Sequence, residues 1–288
     1  MSAAIQALIR TLDIEPIELN LFRGQTPAEE RGRIFGGQVI AQALTAAYRT
    51  VEARVCHSLH AYFIRPGDPA VPVLYQVDRA RDGRSFTTRR VTAIQHGEQI
   101  FNLAASFQTP EAGAEHQSAI PEAPPPEDVP DERDLYREVR DQLPRWRRAW
   151  MDRERPIEFR PVDPQSLLAP KPLEGRQTIW FRVAGEVGDD VALNQCLLAY
   201  ASDMGLLGTS LRPHGLTWET PGLQSASLDH ALWFHRPLRA EDWLLYVQDS
   251  PSASGARGFN RGEIYSRSGV LVASAAQEGL IRVRNPRQ

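Results

Sequence analysis

Phe63-Ile64-Arg65-Pro66 recurs as Phe234-His235-Arg236-Pro237, and the two Arg-Pro pairs stand 171 positions apart (65 to 236). Tyr75 and Tyr246 keep that same offset of 171. Arg84-Ser85-Phe86 is answered by Arg257-Gly258-Phe259 at 173, and the turn glycines Gly97 and Gly269 fall 172 apart. Solenoid repeats have periods of up to roughly 50 residues, so an offset this long marks a duplicated domain.

Each copy reads as one helix followed by an antiparallel meander. In the first, residues 17–23 alternate apolar and polar as a half-buried strand does. Gly36-Gly37 opens a helical stretch to Val51, with Val39, Ile40, Ala43, Leu44 and Ala47 on one face. Strands are expected over 57–63, 71–80, 86–95 and 99–107, separated by turn signals such as Arg65-Pro66-Gly67-Asp68 and Arg81-Asp82-Gly83. In the second copy, strands are expected over 157–160 and 178–183. A helix follows over 193–207, then strands over 228–234, 243–250, 258–266 and 270–277. Between the copies, residues 109–129 carry Pro110, Pro121, Pro124, Pro125 and Pro126 among Glu, Ala and Gln, the composition of a solvated linker. Residues 131–153 are charged, with Leu135, Val139, Leu143, Trp146 and Trp150 interleaved, and Pro144 interrupts this helical stretch, so that either one helix or two shorter pieces is expected. The expected division is 1–108, 109–155 and 156–288, with two copies forming a pseudo-dimer.

Length and composition agree. At roughly 150 residues per domain, 288 residues make two domains or one large one. The 33 basic and 36 acidic residues leave a net charge of −3, without the basic excess a nucleic-acid-binding body needs. Lys171 is the only lysine; because acids balance the arginines, a coding bias explains them better than an arginine-specific surface. Cys56 and Cys196 form no motif, which suits a reducing compartment. Asp13 and Glu15 interrupt the N-terminal stretch, so it does not resemble a signal peptide, and no apolar run approaches the roughly 18 residues of a membrane span. The last residues, Asn285-Pro286-Arg287-Gln288, carry no peroxisomal Ser-Lys-Leu address. The expected location is cytoplasmic.

Several ordered blocks resemble acyl-CoA thioesterase II. They are Gly36-Gly37-Gln38, residues 56–66 and Asp82-Gly83-Arg84-Ser85-Phe86 in the first half. In the second they are Leu193-Asn194-Gln195-Cys196, Tyr200-Ala201-Ser202-Asp203-Met204, Asp229-His230, residues 233–237 and Gln277-Glu278-Gly279. The resemblance spans about Leu19 to Gly279 and weakens only across the Pro-rich stretch. It implies an α+β tandem (double) hotdog fold, two helices each wrapped by a curved antiparallel sheet. It also implies hydrolysis of fatty acyl-CoA to free fatty acid and coenzyme A, without a cofactor or metal.

Asp203 stands out on its own chemistry. It closes the apolar run Leu197-Leu198-Ala199-Tyr200-Ala201, and a carboxylate so placed is partly desolvated, which suits a base. A solvent-facing acid at a helix end is the bland alternative. The resemblance makes Asp203 the general base that activates a water, with Ser227 and Gln277 helping to hold that water. A thioester carbonyl is reactive enough for an oriented water to attack directly, and a backbone N–H near a helix start or turn can polarise it. The family often has Thr where this chain has Ser227; the hydroxyl is kept. Ser225, two residues earlier on the same strand face, competes for that role.

Other features carry less. His57 and His60 lack the further ligands of a metal site. Asp229 and His230 are adjacent on a strand, point to opposite faces and are expected to be structural. Arg33, Arg84, Arg257 and Arg261 are candidates for the coenzyme A phosphates, and Phe63, Trp233 and Phe259 for setting chain length. One rival function is a hydratase or dehydratase on acyl-CoA, which would pair Asp with His in one short segment; Asp68-Pro69-Ala70-Val71-Pro72 has no histidine. A non-catalytic acyl-CoA-binding or regulatory hotdog protein is the other, and it would be expected to lose Asp203. Outer sheet edges favour self-association into a homo-oligomer, dimer or tetramer.

Overall fold

The computed structural model describes residues 2–27 and 32–284; the side chains of Trp146 and Trp150 and the C-terminal residues 285–288 lie outside the described residues. The first half contains α1 (Ala3–Leu12), β1 (Glu15–Glu18), β2 (Leu21–Gly24), α2 (Gly36–Tyr48), β3 (Val55–Phe63), β4 (Val73–Asp82), β5 (Phe86–Gln95) and β6 (Glu98–Gln108). A bridge carries α3 (Glu132–Val139) and α4 (Arg145–Met151), and Pro144 breaks the charged stretch between them. The second half contains β7 (Ile157–Pro161), β8 (Arg176–Val183), α5 (Val191–Ser202), β9 (Leu223–Ser227), β10 (Asp229–Phe234), β11 (Leu244–Ser254), β12 (Arg257–Ser266) and β13 (Leu271–Val283).

All the strands join one antiparallel sheet in the order β1-β2-β4-β5-β6-β3-β10-β13-β12-β11-β8-β7, with β9 added on β13. The order is palindromic about the β3–β10 junction, as a duplication joined edge to edge must be. The offset of 171 now acquires a physical meaning. His60 pairs with Ala231 across the junction, and these two positions are themselves 171 apart. An approximate two-fold axis therefore passes through that pair, making Ser58–Trp233 the counterpart of Asp229–Tyr62. Fully buried Leu59 and Leu232 pair beside the axis, and burying each stabilises by about 1.5–3 kcal/mol.

The two central helices lie antiparallel between the halves of the sheet. Gly37 of α2 faces the Tyr200 carbonyl of α5, while Thr45 Oγ1 donates to Cys196 Sγ at 3.4 Å. Both helices are buried on nearly all sides, because each has a sheet behind it and a helix in front. A single apolar core runs through both halves and contains both buried cysteines. This is the double hotdog architecture.

Several local expectations need correction. Residues 17–23 form a hairpin and not one strand, because Asn20 takes a left-handed φ of 61° between β1 and β2. The helix expected to reach 207 ends at Ser202, where Gly205 (φ 84°) turns the chain and a 3-10 segment, Leu206–His214, follows. A separate β9 precedes β10, with Leu228 between them. The Pro-rich stretch is irregular but not merely solvated. The Trp180 indole donates to the Pro124 carbonyl at 2.8 Å, and Ile120, Ala123 and Val129 pack with Trp180, Trp243, Leu245 and Tyr265 on the second half's outer face.

Candidate active site

The end of α5 sets the site. Asp190 caps the helix start by accepting from the Leu193 N–H at 3.0 Å, and the stop at Gly205 leaves Asp203 as the C-terminal cap residue. Its carboxylate is turned toward the start of α2: a Cβ on Gly36 would lie 2.7 Å from Oδ2 and 2.9 Å from the Phe63 ring. The other oxygen, Oδ1, accepts from Gln277 Nε2 at 2.6 Å. The same amide nitrogen stands 3.2 Å from Ser227 Oγ and 3.3 Å from His230 Nδ1. Asp203, Ser227 and Gln277, 74 residues apart at the extremes, thus meet at one point. Asp203 and Ser227 line a cleft of about 2390 Å³, while the fully buried Gln277 stands behind them.

His230 is the member that sequence reading treated as structural. Asp229 does face away, accepting from the Glu278 N–H at 2.7 Å. His230 points inward, fully buried, with Nε2 2.9 Å from Ser202 Oγ and Nδ1 4.0 Å from Asp203 Oδ1. Burial holds its imidazole below the ordinary histidine range, with the Asp203 charge opposing that shift. The available signal was the alternation of β10: Leu232 and Phe234 mark the inner face, and His230 shares it.

The first turn of α2 supplies the remaining polar groups. Its N-cap, Phe35, makes no side-chain capping bond, so the backbone N–H groups at Gly36 and Gly37 point out of the helix without an intrahelical acceptor. Of the two residues, Gly36 lines the cleft beside Asp203, and a helix start favours developing negative charge there.

The other candidates are distributed differently. Ser225 lines the cleft, and its carbonyl accepts from Arg33 Nη2 at 3.0 Å. Arg84, Arg257 and Arg261 do not line it: Arg84 is exposed on the β4–β5 turn, Arg257 pairs with Glu278 at 2.9 Å, and Arg261 pairs with Asp249 at 2.5 Å. Arg33, Arg65 and Arg145 do line it. Of the aromatic candidates, Phe63 is in the wall, whereas Trp233 and Phe259 are not. His57 hydrogen-bonds Ser106 Oγ at 2.8 Å and His60 sits edge-on to Trp233. Among the described residues, no group of three or more His, Cys, Asp or Glu could hold a metal, and no helix is long and apolar enough to cross a membrane.

The duplication provides an internal comparison. Where the second half places His230 and Gln277 on neighbouring strands, the register puts Leu59 opposite Ala105 in the first, both buried. The polar constellation belongs to the second half, completed by the helix start of the first.

Comparison with known proteins gives a consistent result. Residues 149–280 match the family model described as acyl-CoA thioesterase, and residues 26–108 match that described as acyl-CoA thioesterase N-terminal domain. Human acyl-coenzyme A thioesterase 8 is 43% identical over 282 residues, covering 95% of this chain and 88% of that protein. Acyl-CoA thioesterase 2 of Haemophilus influenzae is 41% identical over 283 residues, covering 98% and 99%. Among solved structures, acyl-CoA thioesterase II TesB2 from Mycobacterium marinum shares 44% identity and superposes with a TM-score of 0.79, over 96% of this chain and 99% of that one. A hot dog fold protein from Alicyclobacillus acidocaldarius, 20% identical with a TM-score of 0.78 over 97% and 99% of the two chains, shares the fold.

Proposed function

This chain belongs to the acyl-CoA thioesterase family, and from that premise we propose that it hydrolyses fatty acyl-CoA to free fatty acid and coenzyme A at the Asp203 cleft. The observation that carries the mechanism is the division of labour within one carboxylate. Gln277 occupies Oδ1, so Oδ2 is left facing the cleft and the start of α2. Asp203 accepts a proton from a water there as that water attacks the thioester carbonyl. Ser227 adds a hydroxyl to position the water, and orientation removes much of the barrier. The first-turn N–H groups of α2 receive the carbonyl oxygen as it becomes an oxyanion. The thiolate of coenzyme A then leaves as the tetrahedral intermediate collapses. Gln277 contributes by fixing the base, a role closer to the carboxylate than to the water.

Arg33, Arg65 and Arg145 line the cleft and are better placed for the coenzyme A phosphates than Arg84, Arg257 and Arg261. The same reading extends to a cytoplasmic enzyme whose units are 1–108 and 156–288, bridged by 109–155. Strand β1, exposed along its whole length at one sheet edge, is a surface for self-association into a homo-oligomer. The test is release of free thiol from acyl-CoAs of graded chain length. A rate that varies with chain length is expected; folded protein that releases no thiol at any length would sink the reading.

A further inference from the structure

We propose that His230 is a positioning residue of this site: as the neutral Nε2–H tautomer, it offers its Nδ1 lone pair to Gln277 and so holds the amide N–H groups toward Asp203. The proton count on the neighbouring groups leads to this tautomer. Ser202 Oγ has one hydrogen, which it donates to the Ala199 carbonyl at 3.0 Å. It must therefore accept from His230 Nε2, 2.9 Å away. A ring kept neutral by its burial then has a bare lone pair on Nδ1, and Gln277 Nε2 at 3.3 Å is the donor facing it. The polar chain runs in one direction, from Gln277 through His230 and Ser202 to the backbone of α5.

The surroundings leave few other groups to orient the Gln277 amide. Its Oε1 is buried with no hydrogen-bond partner among the described residues, so nothing on the oxygen side registers the group. The nitrogen side has two hydrogens and three acceptors within reach: Asp203 Oδ1, Ser227 Oγ and His230 Nδ1. Ser227, only half-buried, can rotate its hydroxyl and find partners in the cleft. His230 cannot, and leaving its buried acceptor unsatisfied is costly. The two amide hydrogens therefore go to Asp203 and His230, which leaves the Ser227 hydroxyl to the reacting water. At 4.0 Å from Oδ1, His230 does not bond the base itself and acts through Gln277. The fold does not require a histidine here, because the pseudo-symmetric position of the first half is filled by Leu59.

The proposal rests on the thioesterase reading only for its kinetic arm. Histidine ¹⁵N NMR on the intact wild-type protein should show His230 protonated at Nε2 and bare at Nδ1; the opposite tautomer or an imidazolium at neutral pH would overturn the assignment whatever the activity. Steady-state kinetics should show His230→Leu lowering kcat by about 10- to 100-fold with KM changed by less than about 3-fold, as expected when a reacting group is displaced without loss of substrate contacts. His230→Asn, whose Oδ1 can replace the Nδ1 acceptor, should recover most of that loss. In a Gln277→Ala background, His230→Leu should cost less than about 2-fold, since both changes then break the same link. Full kcat in His230→Leu, equal losses in the Leu and Asn variants, or additive losses in the double variant would each contradict it. Wild-type protein that releases no thiol would instead overturn the thioesterase reading, and the tautomer measurement would still decide the place of His230.

Discussion

Four side chains, Asp203, Ser227, His230 and Gln277, depend on one another's hydrogen bonds. The sequence made three of them legible, and for Asp203 the reason was physical: an acid closing an apolar helix. Ser227 and Gln277 were readable only through family resemblance, because a serine and a glutamine on strands have no spacing that marks them. For His230, expected to be structural, the inward alternation of β10 is the one sequence signal that places it beside the other three. Its buried, neutral state has a thermodynamic consequence. The folded protein binds a proton on His230 only below the ordinary histidine range, whereas the unfolded chain binds one near pH 6.5. As pH falls through about 6.5, the unfolded state gains protons first, so stability is lost in that direction and is fully present above it. His57 and His235, also lowered by burial, act with the same sign. Thermal melts between pH 5 and 8 should show wild type losing Tm more steeply below about pH 6.5 than His230→Asn; parallel curves would show that His230 does not carry the effect.

At the scale of elements, the start of α2 and the end of α5 meet through two glycines with different tasks. A methyl on Gly36 would press on Asp203 Oδ2 and the Phe63 ring. Gly36→Ala should therefore fold but lose roughly 100-fold in kcat as the carboxylate is displaced. A methyl on Gly37 would collide with the Tyr200 carbonyl, which cannot yield without parting the two helices. Gly37→Ala should lose about 1–3 kcal/mol in urea unfolding. If both variants lost activity and stability alike, the distinction between the two glycines would be wrong. The Gly36-Gly37 pair is legible as a helix start, but the neighbour it packs against is not, since Tyr200 is far away in sequence. Element ends were read least well: one left-handed residue, Asn20 or Gly205, stopped an element that apolar periodicity would have continued.

For the molecule as a whole, the 171-residue offset established the duplication, and the palindromic strand order follows from joining two copies at β3 and β10. What repeat spacing could not disclose is how strongly the copies depend on each other. One sheet and one core cross the junction, and the Pro-rich strap packs on the second half's outer face. Calorimetry should therefore show a single transition with a calorimetric-to-van't Hoff enthalpy ratio of about 1; two resolved transitions would mean that the halves are independent units. The polar cluster in the second half and the helix start in the first meet in one candidate active site drawn from both copies. That shared site is tested most directly by thiol release from acyl-CoA by Asp203→Asn beside wild type, with circular dichroism and Tm confirming the fold of each. Loss of the proton acceptor should lower kcat by about 100- to 10,000-fold with the fold unchanged. A folded Asp203→Asn protein that releases thiol at the wild-type rate would contradict the assignment of Asp203 as the base.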